Sequence, residues 1–395
     1  MYDVGMLRVG AVLVLCAACS FSVEGVPTPD APPSPPDVPV DTPEVKPTCP
    51  AAEVVAGGDH ACARTDDGAV YCWGLAAYGQ VGISPLSMRC PSGGGMPYCS
   101  PTPAKVQMLS AATALGAGGY HSCAATSAGA MCWGLNSYGA FGNGTAASSM
   151  LPLAIPARAG AETIVGGSYH TCSIAGGRVF CSGQNAAGEV GNGAMTLQLT
   201  AVPVLQDATA VALGDYTTCA IDTQQRLQCW GRNTYRTIDP TGVNRLTPTV
   251  VDGATDVVDV AVGRHHVCTV HADKTATCRG NNTYGQLGNG QVATLSPPVT
   301  VGVDAVTRVF AERNVTCVLD EAGAVSCFGE GIGTTPTQIP LPAPATSVSL
   351  GNAFACAVTN DATVWCWGSN TTGQLGNGSF GEPSVPTPQR VELCP

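Results

Sequence analysis

Cysteine spacing constrains this chain more than any other feature. Between positions 62 and 366 fourteen of the sixteen cysteines fall into seven repeating pairs: Cys62/Cys72, Cys123/Cys132, Cys172/Cys181, Cys219/Cys229, Cys268/Cys278, Cys317/Cys327 and Cys356/Cys366. The members of every pair stand nine or ten residues apart. Between them runs an alternating segment with a turn signal at its middle, such as Asp66-Asp67-Gly68 or Glu321-Ala322-Gly323. That is the pattern of a β-hairpin. Facing positions on antiparallel strands bring Cβ atoms to about 4.5–5.5 Å, so each pair is placed for a disulfide. Zinc is excluded as a rival because these pairs lack CxxC-type spacing and no second pair lies at knuckle distance.

The pairs belong to a longer repeat. Each is preceded by a Gly-containing lead, as in Gly57-Gly58-Asp59-His60, Gly118-Gly119-Tyr120-His121 and Gly263-Arg264-His265-His266. Each is followed by Trp-Gly at 73, 133, 230 and 367, or by the departures Ser182-Gly183, Arg279-Gly280 and Phe328-Gly329. A Gly-rich turn comes next, fullest as Asn282-Thr-Tyr-Gly-Gln-Leu-Gly-Asn-Gly290 and Asn370-Thr-Thr-Gly-Gln-Leu-Gly-Asn-Gly378. Where undisturbed the unit is 47 to 49 residues long. This suits one four-stranded blade, and seven units suit a closed ring.

At these residues the chain resembles the regulator of chromosome condensation repeat family, whose units carry a Gly-x-x-His lead, a Trp-Gly strand end and a Gly-Gln-Leu-Gly-x-Gly turn. The resemblance covers roughly residues 51 to 395, and it implies an all-β, seven-bladed β-propeller with disulfides inside the blades. The fourth unit reads Tyr235-Arg-Thr-Ile-Asp where the turn belongs, and the sixth has lost most of it after Gly331. Irregular loops are expected in both.

The other cysteines follow by subtraction. The first unit gains a loop, residues 83 to 103, whose Cys90 and Cys99 are expected to bond to each other. Cys49 and Cys394 flank the repeats, which predicts a bond that fastens the ring. The chain end Thr387-Pro-Gln-Arg-Val-Glu-Leu-Cys394 reads like the strand that precedes other units, such as Thr247-Pro-Thr-Val-Val251. On that reading the two ends share one blade.

Twenty cysteines would be a liability in a reducing cytosol, so export is expected. Arg8, the apolar run Val9 to Leu15 and the small residues ending at Cys19 make a signal sequence too short to span a membrane. Cys16-Ala-Ala-Cys19 resembles a bacterial lipobox, with Cys16 where Leu is usual, and implies lipid on Cys19. An ordinary secretory signal cut near Ala18 is the alternative. Residues 20 to 50 hold ten Pro and no aromatic after Phe21, a composition that cannot bury a core and reads as an extended spacer. The domains are therefore a lipoprotein signal peptide over 1–18, a Pro-rich linker over 19–50 and the propeller over 51–395.

No catalytic constellation is visible. His60, His121, His170 and His266 share one repeat position, but whole blades separate them and Thr217, Val315 and Phe354 interrupt the ring. They read as hydrogen-bonding groups within the structure rather than metal ligands. The repeated Trp reads as blade packing, with a carbohydrate-stacking face as the sharper alternative. The Gly-rich turns lack the Lys and the strand-to-helix context of phosphate loops. Acids are scattered singly, so neither a carboxylate pair nor a calcium loop is indicated. No cofactor or metal is expected.

These features predict a monomeric, non-catalytic envelope or surface lipoprotein, or a secreted protein, that binds an envelope or extracellular protein. Nucleotide exchange on a small GTPase is implied by the family resemblance. However, a net charge of −11 repels nucleic acid, and export separates the chain from both GTPase and DNA. A carbohydrate-active enzyme is the third reading, and it needs acids gathered near a central channel.

Overall fold

The computed structural model describes residues 49–86, 88–90 and 97–394. The expected signal peptide, the lipidation site Cys19 and the linker up to residue 48 lie outside these. The described chain forms seven four-stranded antiparallel sheets, each built from one contiguous stretch in meander order. Blade 1 consists of β1 (Ala51–Ala56), β2 (His60–Thr65), β3 (Val70–Leu75) and β4 (Cys99–Lys105), from the channel outward. Blades 2 to 7 span 112–155, 163–205, 208–250, 257–300, 306–338 and 345–391. A central channel of about 430 Å³ is lined by the seven inner strands.

The strands show why this sequence stacks blades. The second strand of blade 4, Thr217–Asp222, is buried at every residue, because a blade meets a neighbour on both faces. Outer strands such as Ala293–Thr300 and Glu382–Val391 carry several exposed residues and repeated Pro, which leaves a sheet edge unable to recruit another strand.

Each blade holds one cysteine pair, on its second and third strands. Cys62 is bonded to Cys72, Cys123 to Cys132, Cys172 to Cys181 and Cys219 to Cys229 in blades 1 to 4. Cys268 is bonded to Cys278, Cys317 to Cys327 and Cys356 to Cys366 in blades 5 to 7. In every case the two residues face one another directly in the strand register. Their Cα atoms lie 4.0–4.2 Å apart, the close approach of a non-hydrogen-bonded pair.

Neighbouring blades are joined by a repeated set of contacts. The turn after the Trp-Gly step reaches the next blade, where its carbonyl accepts from the Trp indole: Trp73 donates to Gln374, Trp133 to Gln80 and Trp230 to Glu189, each at 2.9 Å. The histidines cross the same seams. His60, His121, His170 and His266 bond through Nε2 to Ser122, Thr171, Thr218 and Thr316 of the following blade at 2.7–2.9 Å. Three of these hydroxyls donate onward to the turn carbonyls of Gln80, Glu189 and Gln286. Such close approach explains the glycine in the lead. A Cβ at Gly57 would collide with the Gly118 carbonyl and with the His60 ring.

Where blade 3 has Ser182 instead of Trp, another residue fills the space. Arg158, in the short 3₁₀ turn Pro156–Arg158 after blade 2, is 1% exposed. Its guanidinium donates to the carbonyls of Phe141, Thr171 and Phe180 and to the hydroxyls of Ser173 and Ser182, at 2.7–3.2 Å. Ser182 itself donates to the Ala140 carbonyl at 2.9 Å, the bond that Trp makes elsewhere.

The two chain ends do not share a blade. The strand Glu382–Val391 is the outer edge of blade 7, and β1 is the inner strand of blade 1. Repeat periodicity set the length of the unit but not where a blade is cut. Cys49 and Cys394 are bonded across the seam between these blades. The seam is also held by backbone bonds from Ala51 to Ala362 at 2.9 Å and from Asn352 to Gly58 at 2.7 Å.

The expected Cys90–Cys99 bond is absent, and both are free, buried thiols in hydrogen-bond contact. In their small hairpin Arg89 faces Tyr98, and the Cys90 N–H donates to the Pro97 carbonyl. Cys90 therefore lies diagonal to Cys99, whereas the blade cysteines face each other directly. Burial pushes the Cys90 thiol up to about 12. Of the two irregular loops, the fourth keeps the bond from the Ile238 N–H to the Asn233 side chain that organises regular turns. The sixth passes from strand to strand between Gly329 and Gly333.

Candidate functional site at the channel mouth

The Gly-containing leads and the Gly-rich turns emerge on the same face of the propeller. Three residues before the first cysteine of each pair stand Asp59, Tyr120, Tyr169, Tyr216, His265, Asn314 and Ala353. The turns add Tyr78, Tyr138, Tyr235 and Tyr284. Because the turn of one blade lies on the lead of the next, these rings meet in order. Tyr78 meets Tyr120 edge-on at 5.4 Å, Tyr138 meets Tyr169 at 4.6 Å, and Tyr235 meets His265 at 4.3 Å. Adjacent leads are stacked, Tyr120 on Tyr169 at 5.8 Å and Tyr216 on His265 at 6.2 Å. The Arg232 guanidinium covers Tyr216 at 3.7 Å. The result is an aromatic arc over blades 1 to 5 with Tyr78, Tyr138 and Tyr284 between 43% and 48% exposed.

The rest of the mouth is polar. Ser168 donates to Asp215 at 2.5 Å, and Arg264 pairs with the other oxygen of Asp215 at 3.3 Å. Asn314 donates to Glu330 at 2.9 Å. Burial raises Asp59 above the usual carboxylate range, against the attraction of Arg313 and a bond from Asn352. Burial, aided by neighbouring Tyr120 and Tyr138, pushes the Tyr169 phenol up to about 12. Glu312 projects where the other six leads have Gly, and burial together with Asp215 pushes its carboxyl up to about 8.

The residues singled out from the sequence lie elsewhere. The four histidines sit beneath this face and reach the next blade, each to a hydroxyl. Among the described residues no group of three or more His, Cys, Asp or Glu could hold a metal ion. The blade cysteines take no part in the mouth: Cys72, Cys132, Cys181, Cys229, Cys278, Cys327 and Cys366 on the third strands are buried, as are their partners on the second. Each sulfur is spent on its partner, so these residues staple hairpins and offer neither nucleophile nor ligand. Trp73, Trp133 and Trp230 are fully buried and Trp367 nearly so, which removes them as stacking surfaces. The stacking surface is tyrosine, and sequence reasoning missed it. Its signal was present: Tyr120, Tyr169 and Tyr216 occupy one repeat position and Tyr78, Tyr138 and Tyr284 another.

Two descriptions of the regulator of chromosome condensation (RCC1) repeat match the chain, one at residues 51–80, 208–236 and 345–374, the other at 67–125 and 361–395. RCC1 repeats are thus matched in blades 1, 2, 4 and 7, and the same four-stranded unit recurs in all seven blades. Solved structures agree on the fold. Human WBSCR16 superposes with a TM-score of 0.71 at 19% identity, covering 82% of this chain and 94% of its own. Prp20p from Saccharomyces cerevisiae superposes with 0.69 at 18% identity, covering 87% of each. At such identity the likeness is one of architecture. No curated protein sequence matches the chain.

Proposed function

We propose that this RCC1-repeat propeller is a non-catalytic binding scaffold of a bacterial envelope or surface, anchored by lipid on Cys19, and that the tyrosine face holds a protein partner. The aromatic arc carries this reading. Tyr and Arg supply large contact area at low entropic cost and dominate protein-binding hot spots, and here they lie together around one channel mouth. Yeast Prp20p, similar in fold, has binding properties toward Gsp1p and histones and has been solved with Kap60. That precedent supports a protein partner, whereas the net charge of −11 weighs against chromatin.

The test is affinity capture from an envelope fraction with the full chain, run beside Tyr138→Ala and Tyr235→Ala and beside Leu153→Ala on an exposed outer-strand position. The reading expects one or more proteins to be lost with the tyrosine variants and retained with Leu153→Ala. Equal capture by all three would overturn it. The anchor is tested separately: Cys19→Ser should move the chain from the membrane pellet to the soluble fraction, because the acyl chains supply about 0.8 kcal/mol per buried CH₂. The glycan-cleaving alternative has one feature in its favour, the Glu312 carboxyl raised by burial and by Asp215. It requires hydrolysis by the wild type that disappears in Glu312→Gln.

A further inference from the structure

Two departures from the repeat fall on the same seam. In blade 5 the residue after the second cysteine is Arg279, facing Val267 in register, where Trp stands in blades 1, 2, 4 and 7. In blade 4 the turn that should lie against it is rebuilt. At the position where Gly191 rests on Trp230 and Gly376 on Trp73, the fourth turn has Asp239. A Gly-on-Trp contact has thus become an Asp and an Arg, yet these two do not pair. Asp239 turns to Arg245 and also accepts from Asn233 and Thr241. Burial works to raise its carboxyl, but the bonds from Arg245 and Thr241 prevail and hold it at about 2.

What remains is a cavity of about 380 Å³ between blades 4 and 5. This is within the range of small-ligand sites. One wall is apolar, made by Leu295, Pro297 and Pro298 of the outer strand of blade 5 together with Ile238. The other presents Arg236 and Arg279. Among the described residues, one of the five N–H groups of Arg279 reaches an acceptor, the Asp252 carbonyl at 3.4 Å. Because Asp239 is matched by Arg245, Asp252 is the one carboxylate among the described lining residues left to oppose the two arginines, so the cavity has a surplus positive charge in a protein of net charge −11. Desolvation draws the Arg279 guanidinium below its ordinary range, and Asp252 only partly restores it.

We infer that this seam cavity binds a carboxylate carried on a compact apolar body, with Arg279 and Arg236 taking the carboxylate and Leu295, Pro297 and Pro298 the body. Guanidinium forks match carboxylates in a bidentate manner, and a half-buried fork with open donors is where that match gains most. The site is independent of the tyrosine face, and neither reading requires the other.

The experiment titrates the full chain with benzoate at low ionic strength, followed by saturation-transfer NMR, with benzamide as the neutral isostere. An N-acetyl-leucylleucine dipeptide with a free C-terminus, run beside its amide, separates peptide ends from free acids. The inference expects saturable binding of benzoate, of the free dipeptide, or of both, with each neutral counterpart at least tenfold weaker. Arg279→Trp, which refills the slot as in blades 1, 2, 4 and 7, should abolish the binding while the thermal midpoint stays unchanged or rises. Arg279→Met serves the same purpose if the indole is not accommodated, and Arg236→Gln should weaken binding about tenfold. Equal binding of carboxylate and amide, survival in Arg279→Met, or no saturable binding of either acid would overturn it.

Discussion

Three seams of this propeller have lost the same tryptophan; one keeps a ring there in the buried Phe328, and the other two have responded in opposite ways. Between blades 2 and 3, Ser182 replaces it, and Arg158 enters from outside the repeat, filling the space and placing all its donors. His121 adds its bond to Thr171. Between blades 4 and 5, Arg279 replaces it in place, the turn beyond is rebuilt, and Thr217 stands where a histidine would cross. That seam is held by aliphatic contact among Ile238, Val262 and Val267, with a cavity beside it. A buried arginine thus stabilises or leaves an opening according to whether its donors are met, not according to its charge.

The ends of the ring set the scale against which both seams are measured. In the chain-entropy model a link across 345 residues restricts the unfolded chain by up to about 6 kcal/mol, against about 3 for each bridge across nine or ten. Cys394→Ser should therefore cost more than Cys172→Ser with Cys181→Ser, as read by reversible urea unfolding of the oxidised protein. Hydrogen exchange in the opened ring should find the seam between blades 4 and 5 the first to part. If the seam between blades 2 and 3 parts first, the comparison fails.

The next largest effect is expected at Arg158. Arg158→Ala leaves a cavity and takes a charged donor from three carbonyls and two hydroxyls, a loss of about 3–5 kcal/mol. A change under about 1 kcal/mol would mean that the guanidinium merely occupies the seam.

Acid should narrow the difference between the two seams. Burial, with a contribution from Arg158, holds the His121 imidazole at about 4, below its ordinary 6.5. Between these values the unfolded chain binds the extra proton. Stability is therefore full above pH 6.5 and falls by up to about 1.4 kcal/mol per pH unit as pH drops toward 4. His60, His170 and His266, held at about 3, act in the same direction. The seam of blades 4 and 5 has no histidine crossing to a buried hydroxyl, although His265 at its mouth end, against Tyr216 and Tyr235, is held at about 4 by burial and by Arg264 and Arg232. Hydrogen exchange between pH 6.5 and 4.5 should therefore accelerate in the buried strands of the first seam and, at the second, only near His265.

The smallest effect belongs to Arg279→Ala, a half-buried side chain with one long bond, expected within about 1 kcal/mol of wild type. A loss approaching that of Arg158→Ala would erase the contrast.

What could be read beforehand was whatever the repeat states seven times. The hairpins, their cysteine pairs and the ring follow from spacing, because each position is sampled in every blade. What escaped lies outside that redundancy. Arg158 sits in a connection with no counterpart in other units, so nothing in its sequence context marks it as the partner of Ser182. Cys90 and Cys99 sit in an insertion whose diagonal register spacing alone does not disclose. The tyrosine arc escaped for a different reason: its rings come from two repeat positions of different blades, and only the stacking of a turn on the next lead brings them together.

The bond between Cys49 and Cys394 joins two Cα atoms 6.0 Å apart, and each of the seven sheets is drawn from an unbroken stretch of chain. Such a ring has no first blade. A gene could be reopened at the connection between any two sheets and rejoined through a few residues at the old ends, giving seven cyclic orders of the same parts. The order that opens between blades 4 and 5 would place the new termini beside the seam cavity.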